Sequence, residues 1–462
     1  MMGSNDEGQA QFFYAFELES LIPQDHLLRG IDRFLDLTEL RTHLAPFYSH
    51  TGRPSIDPEL MIRMLIIGYC FGIRSERRLC EEVQLNLAYR WFCRLSIEDE
   101  VPDHSTFSKN RHGRFRDADT FRFVFEQVLQ RCIDEGLVRG EGFAVDASII
   151  KADASRRRHH EGDDDDDDWG GGLSHAVDEY LNSLDRSIPE GGKPAMKVSQ
   201  TDPASRWTAA RSGATFYAYS TNYLIDTDAG IIMDVEATPA NRSFEVASTR
   251  TMIERVKERF EIKPKKLIGD TAYGSAKLLG WLVEEQDITP HVPVWDKSAG
   301  KAGLYGRTDF TWEAQADRYL CPGGKPLLRN RRKFKKQRTG ITKANTIIYR
   351  ASPADCRHCP KKAQCCPAEP ARKIHRQVHE DARDLARSLV NTRAYLQSSK
   401  DRKKVEMLFA HMKRILKLDR LRLRGLTGAG DEFLLTATAQ NLRRMAQWLG
   451  TDPPALPATA IT

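Results

Sequence analysis

One aspartate set in the middle of an apolar β-run constrains this chain more than any other feature. Residues 142–150 read GFAVDASII, with Phe143, Val145, Ile149 and Ile150 around Asp146. Such a short apolar run, rich in β-branched and aromatic residues, predicts a strand buried within a sheet. An ionised carboxylate is costly to desolvate there, so something must offset that cost. A second acid has the same setting. Asp270 directly follows Leu267, Ile268 and Gly269, at the C-terminal end of a short strand beginning at Lys266. Open sheets place ligands at such ends. Two carboxylates on neighbouring strands repel unless cations separate them. Two Mg²⁺ ions bridged by a carboxylate would resolve the repulsion and create a site for phosphoryl transfer.

The pattern around these acids orders the core. Phe216–Ile225 and Gly230–Ala237 read as strands joined by a turn at Asp226–Gly230. A helix from about Ser243 to Phe260 precedes the Asp270 strand. A helix from about Ala276 to Gln286 and a last strand, Pro290–Val294, follow it. The expectation is an α/β core with a mixed five-stranded sheet. Residues 139–296 form its first part and residues 396–450 contribute its C-terminal helices. Between them, 297–395 is a basic Cys-rich insertion in which regular periodicity dissolves. Within the first part, residues 151–206 carry the run Asp163–Asp168 and the glycines Gly170–Gly172. That composition predicts a largely disordered loop, and six like charges in a row suit a tether better than a metal site. Residues 451–462 are a Pro-rich tail.

Residues 1–138 read as an all-α domain. Glu59–Phe71 is a helix stopped by Gly72, and a second runs from Ser75 to about Phe92 with Leu79, Val83, Leu87 and Trp91 at helical spacing. Asp103 is placed to cap a short third helix, and a fourth spans about Ala118–Glu135. The polar-basic third helix resembles the reader of a helix-turn-helix, with Lys109 and Arg111 as DNA contacts. A plain bundle with a basic surface fits the same pattern.

A late helix, about Lys400–Lys417, supplies a third acid. Val405, Leu408, Phe409, Met412 and Leu416 form its apolar face, and Arg402, Glu406 and Lys413 share an arc of about 40° beside it. Taken alone, Arg402 and Glu406 read as an i,i+4 ion pair on a solvated helix. With two strand acids upstream, Glu406 instead completes a metal site, and Arg402 and Lys413 can hold phosphate oxygens. A final helix spans Asp431–Leu449.

The net charge of +6 conceals bunching: Arg329, Arg331, Arg332, Lys333, Lys335, Lys336 and Arg338 form one cluster, and Lys413, Arg414, Lys417, Arg420, Arg422 and Arg424 another. Such clusters suit a polyanionic partner, although any single one also reads as a solvated surface. No apolar stretch reaches the ~20 residues of a membrane span, and the N-terminus lacks a signal-peptide layout. The expected setting is cytoplasmic, where the nine cysteines are no disulfide framework. Cys321, Cys356, Cys359 and Cys365, with Cys366 or His358 as substitutes, suit a structural zinc; free loop thiols are the alternative. Cys70, Cys80, Cys93 and Cys132 read as small core residues. Trp295 could stack on an unpaired base or simply pack.

FAVDASII with Asp146, KLIGDTAYGS with Asp270 and RKKVEMLFAHMK with Glu406 occur in the order found in a known family. The chain resembles the DDE transposases of bacterial insertion sequences over nearly its whole length. Many members carry a Tyr–Arg–Glu–Lys signature. Its spacing matches Arg402, Glu406 and Lys413, while Ser399 stands in the tyrosine's place. The N-terminal HTGRPSIDPELMIRMLIIGYCFGIRS through VPDHSTFSKNR and the closing RLRLRGLTGAGDEFLLTATAQNLRRM are also similar to family segments. The resemblance implies an RNase H-like core and two Mg²⁺ (or Mn²⁺) ions on Asp146, Asp270 and Glu406. It implies cleavage of double-stranded DNA at terminal inverted repeats and transfer of the 3′-hydroxyl to target DNA. It also implies a homodimer in the active complex and no membrane partner. An RNase H-like nuclease without strand transfer, or an inactive DNA-binding relic, would share these features.

Overall fold

The computed structural model describes residues 17–49, 51–52, 55–161, 174–183, 197–209, 213–294, 303–329 and 339–450. Its main helices begin with α1 (Leu27–Phe34), α2 (Pro58–Phe71), α3 (Glu76–Leu85), α4 (Leu87–Phe92), α5 (Ser105–His112) and α6 (Thr120–Asp134). Strand β1 (Phe143–Lys151) follows, then α7 (His175–Ser183), β2 (Arg206–Ala209), β3 (Thr215–Asp226), β4 (Ile232–Pro239) and α8 (Arg242–Phe260). Next come β5 (Lys266–Ile268), α9 (Ala276–Gly280) and β6 (Thr289–His291). The chain continues through β7 (Thr311–Glu313), β8 (Arg318–Leu320), β9 (Pro326–Leu328), β10 (Thr346–Arg350) and β11 (Lys373–Gln377) to α10 (Glu380–Leu389), α11 (Arg393–Arg414) and α12 (Gly425–Gly450). No helix among the described residues is long and apolar enough to cross a membrane.

The chain forms two compact units. One takes residues 1–139, 147–261 and 406–462; the other takes 140–146 and 262–405. Strand β1 and helix α11 each run from one unit into the other.

In the first unit α2 is buried almost all round, from Met61 to Cys70, as suits a central helix. Asp57 caps it by accepting the Glu59 N–H at 2.9 Å, and Gly72, with φ of 69°, ends it in the left-handed conformation. The single helix expected from Ser75 to Phe92 is two. Asn86 adopts an extended backbone (φ −96°, ψ 116°) and its side chain accepts the Ala88 N–H at 2.9 Å, so a cap forms where the periodicity suggested continuity. Helix α12 packs on α1, α2, α6 and β4. Its Asn441 Oδ1 accepts the Ile232 N–H (2.8 Å) and its Nδ2 donates to the Ile232 carbonyl (2.9 Å), which satisfies the buried backbone at the start of β4.

Strand β3 carries β2 and β4 antiparallel along its length, with Arg206↔Ala218 and Tyr223↔Val235 among the pairs, and it neighbours β1. Strand β2 makes the sheet six-stranded rather than five-stranded. It lies at the end of the segment expected to be disordered, which also contains α7 and an antiparallel pair, His159–Glu161 with Lys197–Ser199. Three- and four-residue pairings leave no periodicity to detect in a polar sequence. Asp163–Asp168 and Gly170–Gly172 lie outside the described residues, as do Trp295, Arg331, Arg332, Lys333, Lys335, Lys336, Arg338 and the tail 451–462.

In the second unit the start of β1 pairs in parallel with β5, and β5 with β6. The insertion is no irregular segment. It forms a five-stranded antiparallel sheet in the order β11-β10-β9-β8-β7 over its own apolar core of Phe310, Tyr319, Leu327, Tyr349 and Ile374. Its strands are only three to five residues long and mix charges with aromatics, as in Arg318–Leu320 (RYL) and Lys373–Gln377 (KIHRQ), which hid them. Helix α11 begins seven residues before the expected Lys400, because Tyr395 and Ser398 are buried and extend its packed face.

Candidate active site

The two strand acids meet through backbone register. Parallel pairing sets Phe143 against Leu267 and Ala144 against Ile268. Both chains run on from the last pair by two residues, through Val145 and Gly269, to Asp146 and Asp270. Gly269 agrees with this: a Cβ built there would lie 3.4 Å from Val145 Cγ1. Neighbouring strands are about 4.8 Å apart. Both acids are half-buried, whereas Phe143, Ala144, Val145, Leu267 and Ile268 beneath them are fully buried. The sheet thus supplies an apolar floor and a pair of acids at its rim. Asp270 stays extended (φ −84°, ψ 179°), and its Oδ1 accepts the Ala272 N–H at 2.7 Å, which opens the 3-10 turn Thr271–Tyr273. That bond orients the carboxylate and leaves it further lone pairs.

Glu406 lies exposed on α11, where the helix enters the first unit. Within the second unit the earlier half of α11 is anchored to β6. His291 Nδ1 and Ser398 Oγ share a hydrogen bond of 2.7 Å, and the Tyr395 ring lies 5.6 Å from the His291 ring. Burial, assisted by Lys266, pushes the His291 pKa down and keeps the imidazole neutral. Within the first unit the later half of α11 buries Met412, and Leu416 is buried just beyond its end. Phe409 lies against Tyr223 with ring centres 5.4 Å apart. The expected apolar face is therefore present. Arg402 is half-buried, and Lys413 Nζ donates to the Ile149 carbonyl at 3.2 Å. Among the described residues no three His, Cys, Asp or Glu side chains gather into a group that could hold a metal ion. The parallel ladder thus ends two residues before each of the two strand acids.

The remaining expected residues divide. Lys109 is exposed on α5. Arg111 is buried and its guanidinium pairs with Glu76, so it is a structural ion pair rather than an open DNA contact. The helical spacing that suggested a reader could not show that Arg111 points inward. All nine cysteines are free thiols; Cys70, Cys93 and Cys132 are buried as expected and Cys80 is half-buried. In the insertion the thiols fall into two groups. Cys321 and Cys359 both face Gly323, their sulfurs 3.6 and 3.9 Å from where its Cβ would be. Cys356, Cys365 and Cys366 interact with one another, and burial pushes the Cys365 thiol up to about 11. Cys366, taken only as a substitute ligand, is thus as engaged as Cys365. Sequence reasoning also passed over His291 and Ser398. A histidine ending a short strand was the available signal.

Two family models match the chain: a transposase domain (DUF772) over residues 16–113 and a transposase DDE domain over residues 320–446. The first covers α1–α5 with Lys109 and Arg111. The second takes in the five insertion cysteines, Arg402, Glu406, Lys413 and most of α12. Asp146 and Asp270 fall outside both. Among solved structures, a piggyBac transposase synaptic complex with hairpin DNA is 7% identical, with 91% of this chain and 75% of that chain covered at a TM-score of 0.35. A Mos1 transposase paired-end complex with left transposon end is 10% identical, covering 51% and 59% at a TM-score of 0.15. Likenesses this weak carry no part of the argument. DDE transposase domains work with divalent metal ions. A transposase domain (DUF772) model and a transposase DDE domain model thus match two separate stretches of one polypeptide.

Proposed function

We propose that this transposase binds the terminal inverted repeats of an insertion sequence, hydrolyses the phosphodiester at the element's ends and transfers the 3′-hydroxyl to target DNA. The observation that carries the reading is the parallel pairing of β1 with β5, whose ladder ends two residues before both Asp146 and Asp270. The order β1, β3, β4, α8, β5, α9, β6 and the late helix α11 support an RNase H-like core. Carboxylate oxygens are hard donors suited to Mg²⁺ or Mn²⁺, and a like-charged pair favours cations between its members. Asp146, Asp270 and Glu406 are the residues that would hold two such ions. When bound, the pair would activate the attacking oxygen and steady the leaving one. The apolar floor under the acids excludes water from one side of the site. Arg402 and Lys109 are proposed to hold DNA phosphates, and two DNA ends call for a homodimer. A structural zinc on Cys321, Cys356, Cys359 and Cys365 is part of the proposal and rests on the chemistry of the thiols alone.

The test replaces Asp146, Asp270 and Glu406 singly by Ala and measures Mg²⁺-dependent cleavage of repeat DNA, with binding followed by gel shift. Each variant should bind DNA and fail to cleave it. Cleavage surviving all three changes would refute the site. A wild type that cleaves but never joins a pre-cut end would be a nuclease.

A further inference from the structure

Residues 420–424 read Arg-Leu-Arg-Leu-Arg. In an extended chain successive side chains face opposite ways, so such a run turns its arginines to one side and its leucines to the other. The structure keeps that division. Leu421 is fully buried and Leu423 half-buried, while Arg420, Arg422 and Arg424 are exposed. The segment is pinned at two points. Arg420 bridges in parallel to Lys151 at the end of β1, and the Leu421 N–H donates to the Lys151 carbonyl at 2.8 Å. The N–H groups of Arg422 and Leu423 both donate to Glu432 Oε1 at 2.6 Å. Glu432, on α12, is buried and also pairs with Arg74, whose side chain is buried too. A buried carboxylate is a costly way to fix a surface loop, so the shape of this loop is specified rather than incidental. The turn before it is constrained as well. Lys417 takes a left-handed backbone (φ 57°), and a Cβ at Gly72 would lie 2.8 Å from both the Ile415 carbonyl oxygen and Lys417 Cγ.

Asp153 sets the two outer arginines. Its Oδ1 accepts from Arg420 Nη2 at 2.9 Å, its Oδ2 from Arg424 Nε at 3.0 Å, and its carbonyl from the same Nε at 2.9 Å. Each guanidinium carries five donors, so both keep N–H groups for a second partner. Arg422 stands exposed between them. Alternate residues of an extended chain are about 6.8 Å apart, twice the 3.4 Å axial step between phosphates on one DNA strand. A row of planar cations at that spacing suits a regular row of phosphates.

We propose that Arg420, Arg422 and Arg424 form a comb that grips phosphates along one strand of duplex DNA, whatever its base sequence. This rests on the reading that the chain acts on duplex DNA. Phosphate contacts fix position and carry no sequence information, so the comb adds affinity for repeat and unrelated duplex alike.

The experiment uses full-length Arg422→Gln, the triple variant Arg420→Gln/Arg422→Gln/Arg424→Gln and the triple lysine variant Arg420→Lys/Arg422→Lys/Arg424→Lys. Affinity for repeat DNA and for an unrelated duplex of equal length is measured without divalent metal from about 50 to 200 mM salt, with thermal melting as the check on folding. Arg422→Gln should lower the log–log salt slope by about 0.9 on both duplexes, so that wild type loses about 3.5-fold more affinity than the variant across that range. The triple glutamine variant should lower the slope by about two or more. The lysine variant keeps the charges and should lie close to wild type. Should the triple glutamine variant fail to melt cooperatively, Arg422→Gln carries the test. A wild-type slope in Arg422→Gln, or in a folded triple glutamine variant, overturns the proposal. A slope change confined to the repeat duplex overturns it too, because it would mean base reading. So do equal losses in the lysine and glutamine variants, because charge would then not be the cause. A wild type that binds phosphatidylserine vesicles but neither duplex would remove the reading beneath the proposal, whereas duplex binding with unchanged slopes refutes the comb alone.

Discussion

The ladder of parallel strands β1 and β5 ends two residues before Asp146 and Asp270, whereas the insertion's Cys356 and Cys365 sit on the short helices Pro353–Arg357 and Lys362–Cys365. Both sets read as metal motifs in the sequence. The difference lies in what holds them. The acids sit at the end of a buried ladder whose register a one-residue slip would ruin, because it would turn Val145 and Leu267 out of the core. The thiols have no such ladder, and the apolar core of Phe310, Tyr319 and Tyr349 already gives the insertion a reason to fold. A zinc there would draw two groups together as a supplement. Cations between the acids would be the condition of activity.

The largest expected effect separates the two regions at once. Asp146→Asn or Asp270→Asn should lower Mg²⁺-dependent cleavage by about a thousand-fold or more, the scale of removing a main electrostatic contributor, with DNA binding by gel shift unchanged. Residual cleavage within ten-fold of wild type would break the contrast from the acid side. Next, Tyr349→Ala should cost about 3 kcal/mol in the insertion, since it empties a fully buried aromatic position. Denaturation followed by Trp312 fluorescence reports it, because that ring lies 5.3 Å from Tyr349. Ser398→Val should cost about 1 kcal/mol by leaving His291 without its partner and lower cleavage a few-fold. An unchanged rate would show that the first half of α11 needs no anchor. Chelation of zinc should lower the melting temperature by only a few degrees, the response to a loss near 1 kcal/mol. Complete unfolding of the insertion on chelation would make the cysteines its staple after all.

The smallest effect concerns Asp202, buried beside the Tyr219 hydroxyl and the Gly425 N–H. Burial pushes its pKa up to about 7. A carboxyl whose folded pKa is raised binds protons more tightly in the native state. Its contribution is fully present below the unfolded value near 4 and is lost as pH rises through 7. Asp202→Asn should therefore flatten the fall in stability across that window. An unaltered pH profile of unfolding would show that Asp202 does not titrate there.

Much of the site's frame could be read from residues alone. The apolar run around Asp146, the turn at Asp226–Gly230 and the helix ending at Phe260 stand close to where periodicity put them. The alignment of Asp146 with Asp270 was not visible, because register is a property of two strands and not of either sequence. The break at Asn86 was missed because a cap and a continuous apolar stripe coexist there. Arg111 was misjudged because its partner, Glu76, is 35 residues away in the chain. Strand β2 and the sheet of the insertion escaped because their strands are too short to show a period.

The central claim is that Asp146 and Asp270 belong to one cation site completed by Glu406. Manganese binding to DNA-bound full-length protein, read by electron paramagnetic resonance, tests it most directly. Two ions per chain in the wild type and loss of both in Asp146→Asn and in Asp270→Asn is the expected result. Unchanged stoichiometry in either variant would contradict it.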